Sequence, residues 1–509
     1  MPYSDHTASL LLVSIVILAA ACLHRLYLHP LAKIPGPFLA KFTNARFLYH
    51  AWKGDLHLDH LRCHKRYVRR NRGEWETDLT IGPVYRSGPN RVVFQTLTAA
   101  HAMYSNDRTI RKSDGYTSHP WTRAKIPSLF NCVDNARAAV KKKTLRPAIA
   151  QPALSLHNSS VEDNVELLVN LVKDGQPQDL SKTGFYYALD VISQSVFGDS
   201  FKCMHEATNR WMAESLERGN RFMYLHLAWP FLFQTLGLFV DVEPLAYPQY
   251  HQESKMFLAL CKKSRERGTS NERGSIFELM KSDLPKDISD EELEADAYSF
   301  MRGGGDMVAV TIAATLFYIT QNRDIPERLK HEIRAKFDRS PPRLDHELES
   351  CRYLRACVDE ALRMAPPGPG VFWRQSSSDL VIDDVHLPAG TEFGVSIYAV
   401  HYNGDIFDEP EVYNPERMMV KEGETWTDRA GLIPFLRGFR ACPAQKLAYA
   451  TVLLPVARFI WEFELERIVL QPGPVREEET TTDGTELFPQ VDVFGSRIEG
   501  PVISFRPRV

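Results

Sequence analysis

The residues Phe435-Leu436-Arg437-Gly438-Phe439-Arg440-Ala441-Cys442 carry the strongest structural signal in this chain of 509 residues. Gly438 permits a tight turn because glycine has no Cβ. Pro443 suits the first position of a helix, whose free backbone amides would point back at the Cys442 sulfur and stabilise negative charge there. The stretch therefore predicts a loop that presents a cysteine thiolate at a helix N-terminus. A buried, inert cysteine in an ordinary loop is the alternative.

These residues resemble the cysteine loop of the cytochrome P-450 family of haem-thiolate monooxygenases, which reads Phe-x-x-Gly-x-Arg-x-Cys-x-Gly. The resemblance implies that Cys442 is the axial ligand of haem b, because a thiolate ligand favours O–O cleavage. It also implies that Phe435 packs over the thiolate, Gly438 brings the backbone near the porphyrin, and Arg440 pairs with a haem propionate. Ala444 departs from the pattern, since the family has glycine two residues after the cysteine.

The composition agrees with a large globular protein, with 44% hydrophobic and 25% charged residues. A formal net charge of −3 argues against a nucleic-acid-binding protein, which would carry a strongly basic face. The eight cysteines include no Cys-x-x-Cys pair, which argues against a zinc site or a disulfide framework and suits a reducing compartment. The resemblance implies a mainly α fold with small β-sheets, in a single domain that we place at residues 38–509.

The N-terminus predicts a membrane anchor at residues 1–33. Residues 7–23 carry no charge and would span roughly 25 Å as a helix, with Arg25 able to snorkel. Residues 34–37, Ile-Pro-Gly-Pro, resemble the stiff proline-rich hinge of membrane-bound members of the family. A cleaved signal peptide is the alternative, but no basic region precedes the apolar run. The basic residues that follow it predict a single-pass protein with a cytosolic catalytic domain, and the resemblance implies the endoplasmic reticulum membrane.

A long central helix is predicted from the capping box of Ser289 and Glu292 to about Gln321. Its middle contains Gly303-Gly304-Gly305-Asp306, and each glycine costs up to ~1 kcal/mol relative to alanine in helix propensity. The resemblance explains this cost, because the family has small residues here that open a groove for O₂ and substrate. It also implies that Asp306 belongs to the proton-delivery machinery. A solvent-facing helix charge is the alternative for Asp306.

Met307 stands where the family has a threonine whose hydroxyl helps to deliver protons to bound oxygen. Methionine cannot donate a hydrogen bond. Three readings follow: a substrate hydroxyl or water replaces the group, the chemistry is not a standard oxygenation, or the enzyme is poorly coupled. Thr311 lies one turn further along the same face and would compensate only in a distorted helix.

Two further motifs resemble structural parts of the family. Glu360-Ala361-Leu362-Arg363 matches its Glu-x-x-Arg helix, about eighty residues before the cysteine loop. Arg417, in Asn414-Pro415-Glu416-Arg417, is expected to reach the pair of Glu360 and Arg363 and so to fix the loop that holds the cysteine.

Further cations are expected to bind the haem propionates. Arg374 occupies the family's propionate-binding position on the first strand after the Glu-x-x-Arg helix. Lys142 or Lys143 is a second candidate, although Ala139 stands where the family commonly has Trp or His. The same lysines are equally well interpreted as a docking surface for an acidic reductase.

Two stretches are open to more than one interpretation. Residues 68–81, from Val68 to Ile81, appear as an insertion between two parts of an early family motif, and a gene-model error is the alternative to a solvated loop. The apolar and aromatic residues 211–239 are expected in the core or in a substrate-channel wall, with a membrane-dipping surface as the alternative. We expect residues 112–132, 208–240 and 300–308 to line an apolar pocket.

The sequence thus predicts a membrane-anchored haem-thiolate monooxygenase that uses O₂ and electrons from an NADPH-dependent reductase to hydroxylate or epoxidise an apolar small molecule. No flavin or dinucleotide fingerprint is present, so the reductase is expected to be a separate chain. The sequence resembles fungal members of secondary metabolism. The alternatives are a haem-thiolate isomerase, dehydratase or ring-forming enzyme without oxygen insertion, and a non-catalytic haem protein that binds a ligand.

Overall fold

A computed structural model of the chain describes residues 3–67, 84–106, 109–118, 126–230, 248–268, 274–282, 284–419, 431–469 and 486–508. The predicted insertion at residues 68–81 lies outside this part of the chain, and so does the end of the aromatic stretch, residues 231–239.

Helices form most of the described chain. The α-helices are Tyr3–Leu23, Ala45–Lys53, Leu56–Tyr67, Leu97–Ser105, Asn135–Ile149, Gln151–Val172, Leu180–Phe197, Met212–Ala228, Pro248–Gly268, Ile276–Ser282, Asp290–Gln321, Asp324–Lys336, His346–Glu349, Arg352–Met364, Ile397–His401 and Gln445–Glu462. We call Asp290–Gln321 the central helix, Leu180–Phe197 the crossing helix and Met212–Ala228 the covering helix.

The strands are short and form small sheets. They are β1 (Val84–Gly88), β2 (Arg91–Phe94), β3 (Ile110–Lys112), β4 (Gln178–Asp179), β5 (Arg374–Ser376), β6 (Leu380–Ile382), β7 (Val385–Leu387), β8 (Glu392–Val395), β9 (Phe463–Ile468), β10 (Gln490–Val493), β11 (Gly495–Ile498) and β12 (Val502–Pro507). The largest described sheet has the order β1-β2-β8-β5-β3, in which β2 and β8 run parallel and the other pairs antiparallel. The predicted mainly α fold with small sheets is confirmed.

The central helix has the bounds that its end signals predict. Ser289 accepts a hydrogen bond from the Glu292 backbone while the Glu292 side chain accepts one from the Ser289 backbone, and the helix ends at Gln321. It packs closely against the crossing helix, where a Cβ built on Gly184 would lie 3.7 Å from the Cα of Ala309. Small residues at this contact let the two backbones approach, and the surrounding apolar residues form the main core.

The N-terminal helix is apolar and exposed. It ends at Leu23 and continues as a π-helix over His24–Leu28. The window Leu11–Leu28 has a mean hydropathy of 2.1 with none of it buried, which suits a membrane span. The central helix is also long and apolar enough to cross a membrane, but 72% of it is buried inside the protein, as in a core helix.

The predicted hinge is attached to the sheet. The Arg86 backbone N–H donates to the Pro35 carbonyl at 2.7 Å, and a Cβ on Gly36 would lie 2.3 Å from the Arg86 carbonyl oxygen. Leu31 and Ile34 are buried in the small core beneath this sheet. Packing of the globular part therefore begins at about Leu31, before the boundary that we placed at residue 38.

Candidate active site

A large cavity lies between the central helix and the cysteine loop. It encloses about 1920 Å³ of space, part of it open to solvent, and its walls are mostly apolar. Each of the three segments predicted to line a pocket contributes to the wall, for example through Phe130, Asn220 and Val308. Phe494, at the turn between β10 and β11, completes the wall and was not predicted. No local sequence signal would have placed this hairpin near the central helix.

The cysteine loop is tightly folded. The Cys442 backbone N–H donates to the Phe435 carbonyl at 2.8 Å, which closes the loop, and the Phe435 ring packs 5.2 Å from that of Tyr449. Gly438 has a φ of +68°, and a Cβ there would lie 2.1 Å from the Tyr104 carbonyl oxygen. Glycine is thus required at this position by the backbone conformation and by the close approach of another chain segment.

The Cys442 side chain opens onto the cavity. Burial raises the pKa of its thiol, whereas a hydrogen bond from the Ala444 backbone and the charge of Lys142 lower it. The following helix begins at Gln445, with Ala444 as its N-cap, so the prediction that Pro443 occupies the first helical position is wrong by two residues. The Ala444 amide still points at the sulfur. Its φ of −92° is ordinary for alanine, so this backbone conformation does not require the family's glycine.

Arg374 lies fully buried at the wall of the cavity, on β5. Its Nη1 donates to the carbonyl oxygens of Phe372 and Trp373 at 3.2 and 3.1 Å, and its guanidinium lies 4.8 Å from the centre of the Tyr104 ring. Its Nη2 is buried and has no hydrogen-bond partner among the described residues. Burial lowers the pKa of Arg374, which means that this positive charge lacks compensation from the protein.

Arg440, in the cysteine loop, is partly buried and also has an N–H group without a partner in the described part of the chain. Its Nε and Nη2 donate to the Asn135 Oδ1 at 3.2 and 2.8 Å. Its Nη1 is buried without a partner in the described part of the chain, and burial lowers the pKa of Arg440 to about 10. Both arginines line the cavity, and each has one buried nitrogen without a partner among the described residues.

The structure distinguishes the two candidate lysines. Lys142 lines the cavity, donates to the Phe439 carbonyl and lies 4.7 Å from the centre of the Phe439 ring. Lys143 is exposed and is not part of the described cavity wall. Of the two, only Lys142 is placed to bind an anion in the cavity.

Lys112 also lines the cavity, and sequence reasoning missed it. It is buried on β3, directly opposite Arg374 in the strand register, and it donates to the Phe130 carbonyl. Burial, with the nearby charges of Arg374 and Arg440, holds the pKa of Lys112 well below its usual value. Its position at the start of a predicted pocket segment was the available signal. Together, Lys112, Lys142, Arg374 and Arg440 are called the cation cluster below.

The three consecutive glycines of the central helix have different surroundings. A Cβ on Gly303 would meet nothing within 4 Å, so this residue faces open space. A Cβ on Gly304 would lie 2.3 Å from Ile192, and one on Gly305 would lie 3.1 Å from Leu189, both on the crossing helix. Gly305 is not part of the described cavity wall. Helix packing therefore explains Gly305, whereas Gly304 both contacts the crossing helix and lines the cavity, and Gly303 lines the cavity and faces open space.

Asp306 and Met307 both line the cavity on the central helix. Asp306 Oδ2 accepts a hydrogen bond from Asn220 Nδ2 at 3.0 Å, and burial raises the pKa of Asp306 to about 6. Thr311, which also lines the cavity, donates its hydroxyl proton to the Met307 carbonyl at 2.7 Å. The Thr311 hydroxyl can therefore accept a hydrogen bond from the cavity, but its only proton is already used.

Glu360, Arg363 and Arg417 form one buried network. Arg363 donates to both carboxylate oxygens of Glu360 at 2.9 and 2.8 Å, and Arg417 Nε donates to Oε1 at 3.1 Å. The remaining Arg363 donors bind the carbonyl oxygens of His401, Pro410 and Val412.

His401 connects this network to the cysteine loop, and no motif in the sequence predicts this role. Its Nδ1 lies 2.9 Å from the Arg363 carbonyl, and its Nε2 accepts the Ile433 backbone N–H at 3.1 Å, two residues before Phe435. Burial and the charge of Arg363 lower the pKa of His401 to about 3, so the imidazole is neutral. The neutral ring with its proton on Nδ1 satisfies both bonds.

The comparisons with known proteins agree with this geometry. The family profile described as Cytochrome P-450 matches residues 85–484. The cytochrome P-450 monooxygenase AKT7 of Alternaria alternata is 29% identical over 483 residues, which cover 90% of this chain and 88% of the relative. The monooxygenase poxM of Penicillium oxalicum is 29% identical over 502 residues, with 95% and 91% covered. The monooxygenase apf7 of Gibberella fujikuroi is 28% identical over 521 residues, with 96% and 95% covered.

The residues present fit the haem-thiolate cofactor that this family implies. A cysteine thiol opens onto a mostly apolar cavity, and two buried guanidinium groups have unused N–H donors suited to carboxylates. The mainly α fold and the matches over most of the chain lead to the same assignment. The chain therefore belongs to the cytochrome P-450 family and is a monooxygenase of that family.

Proposed function

We propose that the cavity holds haem b, with Cys442 as the axial ligand and the propionates bound by Arg374, Arg440 and Lys142, with Lys112 as a further partner. The observation that carries this proposal is that a cysteine thiol and two unpaired guanidinium N–H groups share one mostly apolar cavity. Two propionates would supply negative charge and hydrogen-bond acceptors next to these cations, which would stabilise the bound state.

When bound, haem supplies the activation of O₂ that allows an oxygen atom to be inserted into a C–H or C=C bond. The chain supplies the rest of the site. Phe130, Phe372 and Phe494 line the cavity and favour an apolar small molecule while excluding water. The Ala444 amide and Lys142 stabilise the thiolate form of Cys442, which is the form required of the ligand.

Asp306 is the proposed proton donor of the site. It lines the cavity beside Gly303, and its pKa of about 6 lets it carry a proton for part of the time near neutral pH. Met307 offers no proton, and the proton of Thr311 is used within the helix. We infer that a water molecule or a substrate hydroxyl completes proton transfer from Asp306 to the reacting centre.

Electrons are proposed to come from a separate NADPH-dependent flavoprotein reductase. Lys143 is exposed next to Lys142 of the cation cluster, and we propose that it is part of a docking surface for an acidic partner. The apolar helix over Leu11–Leu28 supports a single-pass anchor in the endoplasmic reticulum membrane, with the catalytic domain in the cytosol. The similarity to fungal monooxygenases supports a role in secondary metabolite biosynthesis.

A second candidate is an isomerase, dehydratase or ring-forming reaction without oxygen insertion. It is favoured by one observation, the absence of a free hydroxyl proton at positions 307 and 311 of the central helix. Such a reaction needs no proton donor at position 307.

The first test is the absorption spectrum of the reduced protein under carbon monoxide, for the wild type and for Cys442→Ser. We expect the long-wavelength Soret band of thiolate ligation in the wild type and its loss in the variant. A wild-type band at the shorter wavelength typical of other ligands would contradict Cys442 as the ligand.

Incubation with reductase, NADPH, isotopically labelled O₂ and a panel of apolar small molecules then separates the two reactions. Label in the product supports the monooxygenase, whereas turnover without NADPH supports the second candidate.

A further inference from the structure

Two side chains on one face of the covering helix attach it to buried carboxyl groups. Asn220 Nδ2 donates to Asp306 Oδ2 at 3.0 Å, and one turn later the Tyr224 hydroxyl donates to Asp492 Oδ1. The covering helix is thereby bonded to the central helix through Asp306 and to β10 through Asp492. Asn220 and Asp306 also line the cavity, so the first of these bonds lies in its wall.

Gly495 encloses the Asp306 carboxyl from the other side. A Cβ on Gly495 would lie 2.4 Å from Asp306 Oδ2 and 3.2 Å from Asn220 Nδ2, so the hairpin approaches this pair as closely as glycine allows. Asp306 Oδ1 is buried and has no hydrogen-bond partner among the described residues. One carboxyl oxygen is thus held by an amide, and the other is left for a proton.

From this arrangement, and resting on the proposed function, we propose that Asn220 is the positioning residue of Asp306. Its amide holds Oδ2, which leaves Oδ1 to carry the proton that Asp306 delivers. Because Asn220 belongs to the covering helix, Asp306 has this orientation only while that helix lies over the cavity. The position of the covering helix is therefore coupled to the orientation of the Asp306 carboxyl group.

The electrostatics give this role a measurable signature. Burial raises the pKa of Asp306, while the hydrogen bond from Asn220 and the backbone N–H groups of Asp306 and Met307 lower it. Arg302 lies one turn before Asp306 on the central helix, the hairpin carries Asp492 and Arg497, and the titratable residues of the covering helix are Glu214, Glu217, Arg218, Arg221, Tyr224 and His226. None of them is among the causes of the shifted pKa of Asp306. Loss of the Asn220 donor removes support for the carboxylate, so the pKa of Asp306 is expected to rise.

The test compares the purified full-length holoprotein with Asn220→Leu, which removes the donor at similar size. Tyr224→Phe is the matched control, because it removes the other bond of the same helix and leaves Asp306 untouched. Each background is prepared with and without Asp306→Asn, and the free energy of unfolding is measured by urea between pH 5 and pH 8. The difference within each pair follows the titration of Asp306, and this readout requires no substrate.

We expect the midpoint of this titration to rise by about one pH unit in Asn220→Leu, a roughly tenfold increase in proton affinity. The midpoint is expected to stay unchanged in Tyr224→Phe. Equal midpoints in all three backgrounds would overturn the proposal. An equal rise in both variants would also overturn it, because loosening of the helix alone would then explain the result.

A second measurement tests the link to the reaction. With reductase, NADPH and O₂, the fraction of NADPH electrons recovered as hydrogen peroxide is expected to rise at least about twofold in Asn220→Leu and to stay constant in Tyr224→Phe. An unchanged fraction of electrons recovered as hydrogen peroxide in Asn220→Leu would show that Asn220 does not affect proton delivery by Asp306. If the wild type consumes no NADPH, the proposed monooxygenase function fails, and the titration still decides on its own whether Asn220 controls Asp306.

Discussion

The Glu360 network and the cation cluster are two buried charged regions in opposite states. The Glu360 carboxylate accepts bonds from Arg363 and Arg417, and the other N–H groups of both arginines donate to backbone carbonyl oxygens, so each cation has a carboxylate partner and hydrogen bonds within the chain. In the cation cluster, Arg374 and Arg440 each retain a buried N–H group without a partner among the described residues. A buried charge is costly unless it is paired. The first region is therefore complete in the chain alone, and the second is suited to an anion that the chain does not supply.

Breaking the complete network should give the largest effect. Glu360→Ala leaves Arg363 and Arg417 as buried cations without their carboxylate, so we expect a loss of about 3–5 kcal/mol in the free energy of unfolding. Urea unfolding measures this loss. The control is Glu416→Ala, since Glu416 pairs with Arg328 at the exposed surface and should change stability by less than about 1 kcal/mol. Similar losses in both variants would contradict the contrast between the regions.

A substitution in the cation cluster should change the rate of haem loss and not the stability of the protein without haem. Arg374→Met replaces a buried, uncompensated cation by an apolar side chain of similar length, so the protein prepared without haem should be as stable as the wild type or more stable. The haem-loaded variant should lose its cofactor at least about tenfold faster, because a charge-assisted bond to a propionate is worth roughly 1.5–3 kcal/mol. Haem transfer to an acceptor protein gives the rate. A large destabilisation without haem would show that Arg374 serves the chain itself.

The two regions should also respond to pH with opposite sign. His401, in the complete network, has its pKa lowered from 6.5 to about 3, so between these values only the unfolded chain binds its proton and stability falls as pH falls. Asp306, in the cavity wall, has its pKa raised from 3.8 to about 6, so between these values the folded protein holds the extra proton and stability rises as pH falls.

Urea unfolding between pH 4 and pH 6.5 separates these contributions. His401→Gln should flatten the decline towards acid, and Asp306→Asn should steepen it, each by at most about 1.4 kcal/mol per pH unit. Equal slopes in the wild type and in His401→Gln would mean that protonation of this histidine is not linked to unfolding.

Local signals in the sequence predicted a large part of the molecule. The start of the central helix follows from the capping box of Ser289 and Glu292. This signal is local, because both residues lie within three positions of the first residue of the helix. The cysteine loop was predicted because Gly438, Arg440 and Cys442 lie close together in the sequence. The start of the next helix was wrong because Pro443 is also compatible with the turn that precedes the helix.

Contacts between distant parts of the chain were not predictable from one sequence. His401 meets Ile433, Asn220 meets Asp306, and Lys112 meets Arg374 only after the helices and strands have packed. Each residue type is common, and none of these pairs has a fixed spacing that would distinguish it from a surface residue. The division between complete and incomplete regions depends on these contacts, so it is visible only in the structure.

The smallest expected effect compares two adjacent positions of the central helix. Gly303→Ala places a methyl group where nothing lies within 4 Å, so it should stabilise the protein by about 0.5–1 kcal/mol through helix propensity. Gly304→Ala would place the methyl 2.3 Å from the terminal Cδ1 of Ile192, which must shift to make room, so we expect overpacking to outweigh helix propensity and to destabilise the protein by about 1 kcal/mol. Urea unfolding of both variants measures the difference. Opposite signs would show that the helix is filled on the side of the crossing helix and open towards the cavity, whereas equal costs would mean that Gly303 is also enclosed.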